Sequence, residues 1–121
     1  MSMNSILIVD DDTNLCYMLS EELNESGFKS DFVNSADDAL VYIEKNDIDL
    51  MLLDLKMPDK DGFYVLKKLN ELGVKIKVIV LTAYADVKSA IDSANLGASE
   101  FVSKPYDFHD LVATINKVLQ T

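Results

Sequence analysis

Ile6-Leu7-Ile8-Val9-Asp10-Asp11-Asp12 decides the fold. Four apolar residues, three of them β-branched, run without interruption and stop abruptly at three acids. Such a run reads as a strand. Directly after it, residues 13–26 place Leu15, Cys16, Met18, Leu19 and Leu23 at helical spacing, and Gly27 closes that helix as a C-terminal cap. A strand, a polar edge and a helix form the first unit.

The same alternation repeats along the chain. Residues 28–33 read as a second, half-polar strand. Ser35 with Asp38 three residues on resembles a capping box, opening a helix that buries Ala39, Leu40 and Ile43. Residues 49–53 form a third strand, apolar enough to be buried on both faces. Lys56-Met57-Pro58-Asp59-Lys60-Asp61-Gly62 is loop chemistry. The next helix turns Phe63, Leu66 and Leu69 inward and stops at Gly73. A fourth strand covers 76–81, a helix 85–96 ends at Gly97, and a short fifth strand covers 99–102. Pro105 breaks the chain, and Asp107 caps a last helix carrying Leu111, Ile115, Val118 and Leu119. The order βαβαβαβαβα predicts an α/β fold, with a parallel sheet covered by helices on both faces. Right-handed crossovers leave few topologies, and a five-strand sheet of this size fits the doubly wound, flavodoxin-like order 2-1-3-4-5.

Composition bounds the function. A chain of 121 residues without repeats or linkers fits one domain, residues 1–121. The net charge of −10 argues against direct binding of nucleic acid or of an anionic membrane. A hydrophobic fraction of 49% is too high for a disordered acidic tail. The single cysteine, Cys16, rules out an internal disulfide or a thiolate zinc cluster and suits a reduced, cytoplasmic setting. No apolar run approaches the ~18–20 residues of a membrane span, and no signal-peptide pattern opens the chain. Met1-Ser2 ahead of Met3 reads as a cloning remnant.

A doubly wound sheet gathers function beyond the C-terminal ends of its strands. Strand 1 ends in Asp10-Asp11-Asp12, strand 3 in Asp54, strand 4 in Thr82-Ala83, and strand 5 in Lys104-Pro105. Carboxylates crowded at one edge resist joint ionisation, and Lys104 alone cannot offset three of them. A hard divalent cation can, and oxygen ligands suit Mg²⁺. Carboxylate, metal, hydroxyl and lysine together make a site for a phosphoryl group, with one aspartate as nucleophile.

These blocks, together with Leu52-Leu53-Asp54-Leu55-Lys56-Met57-Pro58-Asp59-Lys60-Asp61-Gly62 and Val102-Ser103-Lys104-Pro105, resemble the receiver (CheY-like) domain of bacterial two-component response regulators. The resemblance spans essentially the whole chain. It implies that Asp54 is the phosphoacceptor, becoming an aspartyl phosphate. It implies that Asp11 binds Mg²⁺ directly, that Asp10 holds it through water, and that the Lys56 backbone carbonyl is a further ligand. Thr82 would follow the phosphoryl group, Lys104 would balance its charge, and Phe101 would be the aromatic switch. The implied donor is a sensor histidine kinase or a histidine phosphotransfer protein, docking on the first helix at Leu15, Met18 and Leu19, with Glu22. An output domain following the receiver is in keeping with the family, as is a homodimer through helix 4, strand 5 and helix 5. The chain would catalyse only its own phosphorylation and dephosphorylation, and so is not a conventional enzyme.

Plainer readings stand beside these. Asp10 and Asp11 suit a helix N-terminus, and Asp12 is expected to act mainly as its cap. Thr82 alone is a half-buried strand residue, Lys104 alone a snorkelling surface lysine, and Phe101 core filler. Pre-proline geometry favours an extended Lys104. His109 is expected in solvent and Cys16 in the core. A haloacid-dehalogenase-like aspartyl phosphatase, using Asp10-x-Asp12, Thr82 and Lys104, is the alternative function. A flavin site of the same fold is disfavoured because three acids follow strand 1, where a phosphate loop is needed. Finally, bulky Lys56 and Tyr84 flank the approach to Asp54, which predicts a long-lived phosphoryl group.

Overall fold

A computed structural model describes residues 3–121; Met1 and Ser2, read above as a cloning remnant, lie outside the described residues. The elements are β1 (Ser5–Val9), α1 (Thr13–Glu25), β2 (Lys29–Val33), α2 (Ala36–Lys45), β3 (Leu50–Leu53), α3 (Gly62–Leu72), β4 (Lys77–Thr82), α4 (Val87–Asn95), β5 (Glu100–Ser103) and α5 (Phe108–Leu119). The strands are all parallel in the order β2-β1-β3-β4-β5, as the alternation requires.

Side-chain alternation divides the core in two. Ile6, Ile8, Leu50, Leu52, Ile79 and Leu81 face α1 and α5, where Cys16, Leu19, Leu23, Leu111, Ile115 and Val118 meet them. Leu7, Val9, Met51, Leu53 and Val78 face the other way, onto Ala36 and Ala39 of α2 and Val65, Leu66 and Leu69 of α3. Each β3 residue is buried, so that strand is covered on both faces as its composition predicts.

Each helix begins with a side-chain cap. Asp12, Ser35, Asp61, Asp86 and Asp107 accept hydrogen bonds from the backbone N–H three residues on. The Asp86 cap starts α4 at Val87, two residues later than the sequence pattern suggests. Packing also differs in detail. In α2, Ala36 and Ala39 are fully buried, while Leu40 and Ile43 are only partly so. In α3, Val65 takes the inward place given to Phe63, which lies at the margin. Met18 of α1 is 56% exposed, and Leu119 of α5 only borders the core. Gly27, Gly73 and Gly97 all have positive φ where helices end, which fits their reading as stops.

Among the described residues, no helix is long and apolar enough to cross a membrane.

Candidate functional site

Register assembles the site. Val9 pairs with Leu53 at the end of the β1–β3 ladder, and the Asp54 N–H donates to the Val9 carbonyl at 2.9 Å. One residue further, the strands deliver Asp10 and Asp54 side by side. Thr82 pairs with Ser103, and the Lys104 N–H donates to the Thr82 carbonyl at 2.9 Å. Asp10, Asp54 and Thr82 are all buried.

The β3–α3 loop packs closely under this edge. Gly62 donates to the Leu55 carbonyl at 3.0 Å, and a Cβ at position 62 would overlap the Asp54 carbonyl oxygen and lie 2.8 Å from Leu55 Cα. Glycine is needed here for space. Within the loop, the Lys56 N–H donates to Asp54 Oδ1 at 3.1 Å, which turns the backbone of Lys56 beneath the carboxylate.

Asp10, Asp11 and Asp54 each contribute a carboxylate oxygen to a cluster whose atoms all lie within 4.8 Å of one another. The Lys104 ammonium donates to Asp10 Oδ2 at 2.6 Å and to Asp54 Oδ2 at 3.2 Å. Asp10 Oδ1 accepts the Asp12 N–H at 2.9 Å. Burial pushes the Asp10 carboxyl above its ordinary pKa, outweighing the hydrogen bonds from Lys104 and Asp12, and the Asp54 charge adds to the rise. For Lys104, burial acts to lower the pKa, but the hydrogen bond to Asp10 and the charges of Asp10 and Asp54 together raise it. The ammonium stays charged, and two of the three carboxylates, Asp10 and Asp54, share it. Three converging oxygens, two of them on buried residues, are a hard donor set with charge to spare, which fits a small divalent ion. Asp10, Asp11 and Asp54 are the residues that could hold it.

Thr82 Oγ1 sits at the same edge and accepts the Tyr84 N–H at 3.2 Å. Tyr84 in turn lies under Lys56, with Nζ 5.0 Å from its ring centre.

Residues 6–116 match the response regulator receiver domain. The chain belongs to this family. The receiver is 37% identical over 114 residues to the transcriptional regulatory protein ZraR of Escherichia coli (strain K12), a match covering 94% of this chain and 26% of that protein. It thus spans about a quarter of that relative's length. Among solved structures it resembles a CheY-like receiver domain protein from Methanospirillum hungatei JF-1, with a TM-score of 0.93 and 34% identity, covering 98% of this chain and 95% of that one. It also resembles the response regulator protein TrrA from Thermotoga maritima in complex with Mg(2+)-BeF, with a TM-score of 0.86 and 34% identity, covering 96% and 99% of the two chains.

The receiver fold brings Asp10, Asp11, Asp54, Thr82 and Lys104 to one edge, as the motif order predicts. Phe101 is half-buried on β5, opposite Val80. His109 is exposed in the first turn of α5. Cys16 is fully buried. Asp12 is taken up by its cap, accepting the Leu15 N–H at 3.1 Å, so the Asp10-x-Asp12 pair of a haloacid-dehalogenase site does not form. The Lys104–Pro105 peptide is cis.

Two contacts had no motif to announce them. Asn34 Nδ2 donates to the Asp10 carbonyl at 2.9 Å across 24 residues of sequence. The Tyr106 hydroxyl donates to Glu22 Oε1 at 3.1 Å, tying the β5–α5 connection to α1. Burial, followed by that Glu22 contact, pushes the Tyr106 pKa up to about 12. Tyr106 and Glu22 join Leu15, Met18, Ala83 and Phe108 around a cleft of about 620 Å³ that borders Lys104.

Proposed function

We propose that Asp54 is the phosphoacceptor of this receiver, and that the carboxylates of Asp10, Asp11 and Asp54 with the Lys56 backbone carbonyl hold Mg²⁺. The observation that carries this is the buried Asp54 carboxylate, set within 4.8 Å of two further acids and 3.2 Å from the Lys104 ammonium. An Asp54 oxygen attacks phosphorus of a phosphohistidine, the P–N bond breaks, and an acyl phosphate forms on Asp54. The metal supplies charge neutralisation for the phosphoryl oxygens. Lys104 balances the same charge from the β5 side. Thr82 turns its hydroxyl from the Tyr84 N–H to the new phosphoryl oxygen, and Phe101 follows inward on the neighbouring strand as the switch. That Mg(2+)-BeF is bound by the similar Thermotoga protein supports the metal and phosphoryl assignment.

A sensor histidine kinase or histidine phosphotransfer protein is the donor. It docks at the cleft lined by Leu15, Met18 and Phe108, which opens beside Lys104 and offers an apolar surface to a helical partner. The receiver acts in the cytoplasm and catalyses only its own phosphorylation and dephosphorylation. Residues 1–121 form a single receiver domain at the N-terminal end of a longer regulator, in line with the length of ZraR. The α4–β5–α5 face, where Val87 and Ile91 are exposed, carries a homodimer. Output is transcriptional and passes through an attached domain, in line with the transcriptional regulatory protein ZraR and with a net charge of −10 that opposes direct binding of nucleic acid by the receiver.

The test is labelling by acetyl phosphate in Mg²⁺ buffer, read by intact mass. The parent gains one phosphoryl group and Asp54→Asn gains none; full labelling of the variant defeats the assignment.

A further inference from the structure

We propose that Asn34 is a positioning residue for the carboxylate pair, fixing the peptide plane between Asp10 and Asp11 from which both side chains project. This rests on the reading of that pair as metal-binding. Asn34 lies in the turn between β2 and α2, half-buried, and its Nδ2 donates to the Asp10 carbonyl oxygen at 2.9 Å. The same oxygen accepts the Cys16 thiol at 3.4 Å. On the other side of the residue, the Asp10 N–H donates to the Val33 carbonyl at 3.2 Å. Adjacent residues of the 33–34 segment therefore grip the main chain both before and after Asp10.

The consequence falls mainly on Asp11. Lys104 and the Asp12 N–H already hold both oxygens of the Asp10 carboxylate. Asp11 is exposed, so the direction of its carboxylate follows its backbone. The oxygen that Asn34 grips belongs to the peptide whose nitrogen is that of Asp11. If that plane turns, Asp11 swings away from Asp10 and Asp54, and the cluster loses an oxygen. Without Asn34 the carbonyl keeps only a thiol, which is a weak donor. Groups that orient metal ligands from behind typically change affinity by about 10–100-fold when removed.

The experiment measures Mg²⁺ affinity of the full chain by calorimetry, with melting in EDTA as the fold control. Asn34→Ala deletes the donor, and Asn34→His restores an N–H at the same branch position. A residue that only stabilises its turn would lower the EDTA melting temperature and leave Mg²⁺ affinity alone. The expected result is Mg²⁺ binding about 10-fold weaker in Asn34→Ala. In that variant the plateau rate of acetyl-phosphate labelling at saturating Mg²⁺ is kept, and Asn34→His recovers most of the affinity. Parent-like affinity in Asn34→Ala, or no recovery in a folded Asn34→His, overturns the proposal. A parent that binds no Mg²⁺, or an Asp11→Asn variant that binds it as tightly as the parent, overturns instead the metal reading beneath it.

Discussion

Lys104→Met keeps the length of the side chain and deletes the one cation that the structure places among the acids. Its Nζ lies 2.6 Å from Asp10 Oδ2 and 3.2 Å from Asp54 Oδ2. At an effective dielectric of about 20, each contact carries a gross attraction of roughly 5–6 kcal/mol. Burial offsets most of this, since the Asp10 carboxyl stays above its ordinary pKa even with the ammonium beside it. Removing one partner of a buried ion pair costs about 3–5 kcal/mol. The Lys104 side chain is 16% exposed, so water reaches the gap and the low end applies, ~3 kcal/mol. For a chain of this size that is a fall in Tm of about 10–15 °C. The loss depends on pH with a definite sign. A carboxyl whose folded pKa is raised takes up a proton on folding, so the folded state is penalised as pH rises and relieved as pH falls. Deleting Lys104 raises the Asp10 pKa further, so the deficit of the variant opens above about pH 4 and narrows below it. Urea unfolding in EDTA at pH 4 and pH 7.5 measures both effects. Mg²⁺ should still bind the variant and return part of its stability. A deficit under about 1 kcal/mol at pH 7.5, or the same deficit at both pH values, refutes the reasoning.

Two other outcomes are expected. Gly62→Ala forces a methyl group against the backbone of Asp54 and Leu55, and should cost about 1–3 kcal/mol in thermal unfolding; an unchanged Tm would mean the loop yields freely. A cover of the Asp54 approach by the stacked Lys56 and Tyr84 predicts that the phosphorylated parent decays slowly in Mg²⁺ buffer and the Lys56→Asn, Tyr84→Ala double variant several-fold faster; fast decay in the parent or equal rates would discard the cover.

The sheet order and the polar edge were legible because β1, β3 and β4 are nearly pure apolar runs ended by a charged or hydroxyl residue, and half-polar β2 and β5 fall where the alternation needs a strand. Helix starts were less so. Ala85 and Asp86 both suit a helix, and only the Asp86 carboxylate accepting the Ser89 N–H at 2.7 Å decides between them. In α2 the small Ala36 and Ala39 take the fully buried places beside the sheet and Leu40 and Ile43 stay partly buried, and in α3 Val65, two residues on from Phe63, is the buried one. Asn34 and Tyr106 were not legible as site residues. A lone polar residue in a loop carries no spacing signal, and the partners Asp10 and Glu22 are respectively 24 and 84 residues away. Only the β1–β2 register and the fold of the β5–α5 connection bring them together.

The precision of the polar edge is inherited from the apolar core. Asp10 continues the side-chain parity of Ile6 and Ile8, and Asp54 that of Leu50 and Leu52; these four lie in one packed cluster with α1 and α5. A slip of β1 by one residue against β3 would turn Ile6, Ile8 and Asp10 to the opposite face while Leu50, Leu52 and Asp54 kept theirs. It would also separate the two carboxylates that share Lys104. The energy that fixes where the acids stand therefore comes from the strands behind them. Burial of the acids opposes the arrangement, since it is chiefly desolvation, with the Asp54 charge adding to it, that raises the Asp10 pKa. Carboxylates held partly buried and close together at that edge form a donor set able to take up positive charge, which distinguishes them from the solvated acids of the helix faces.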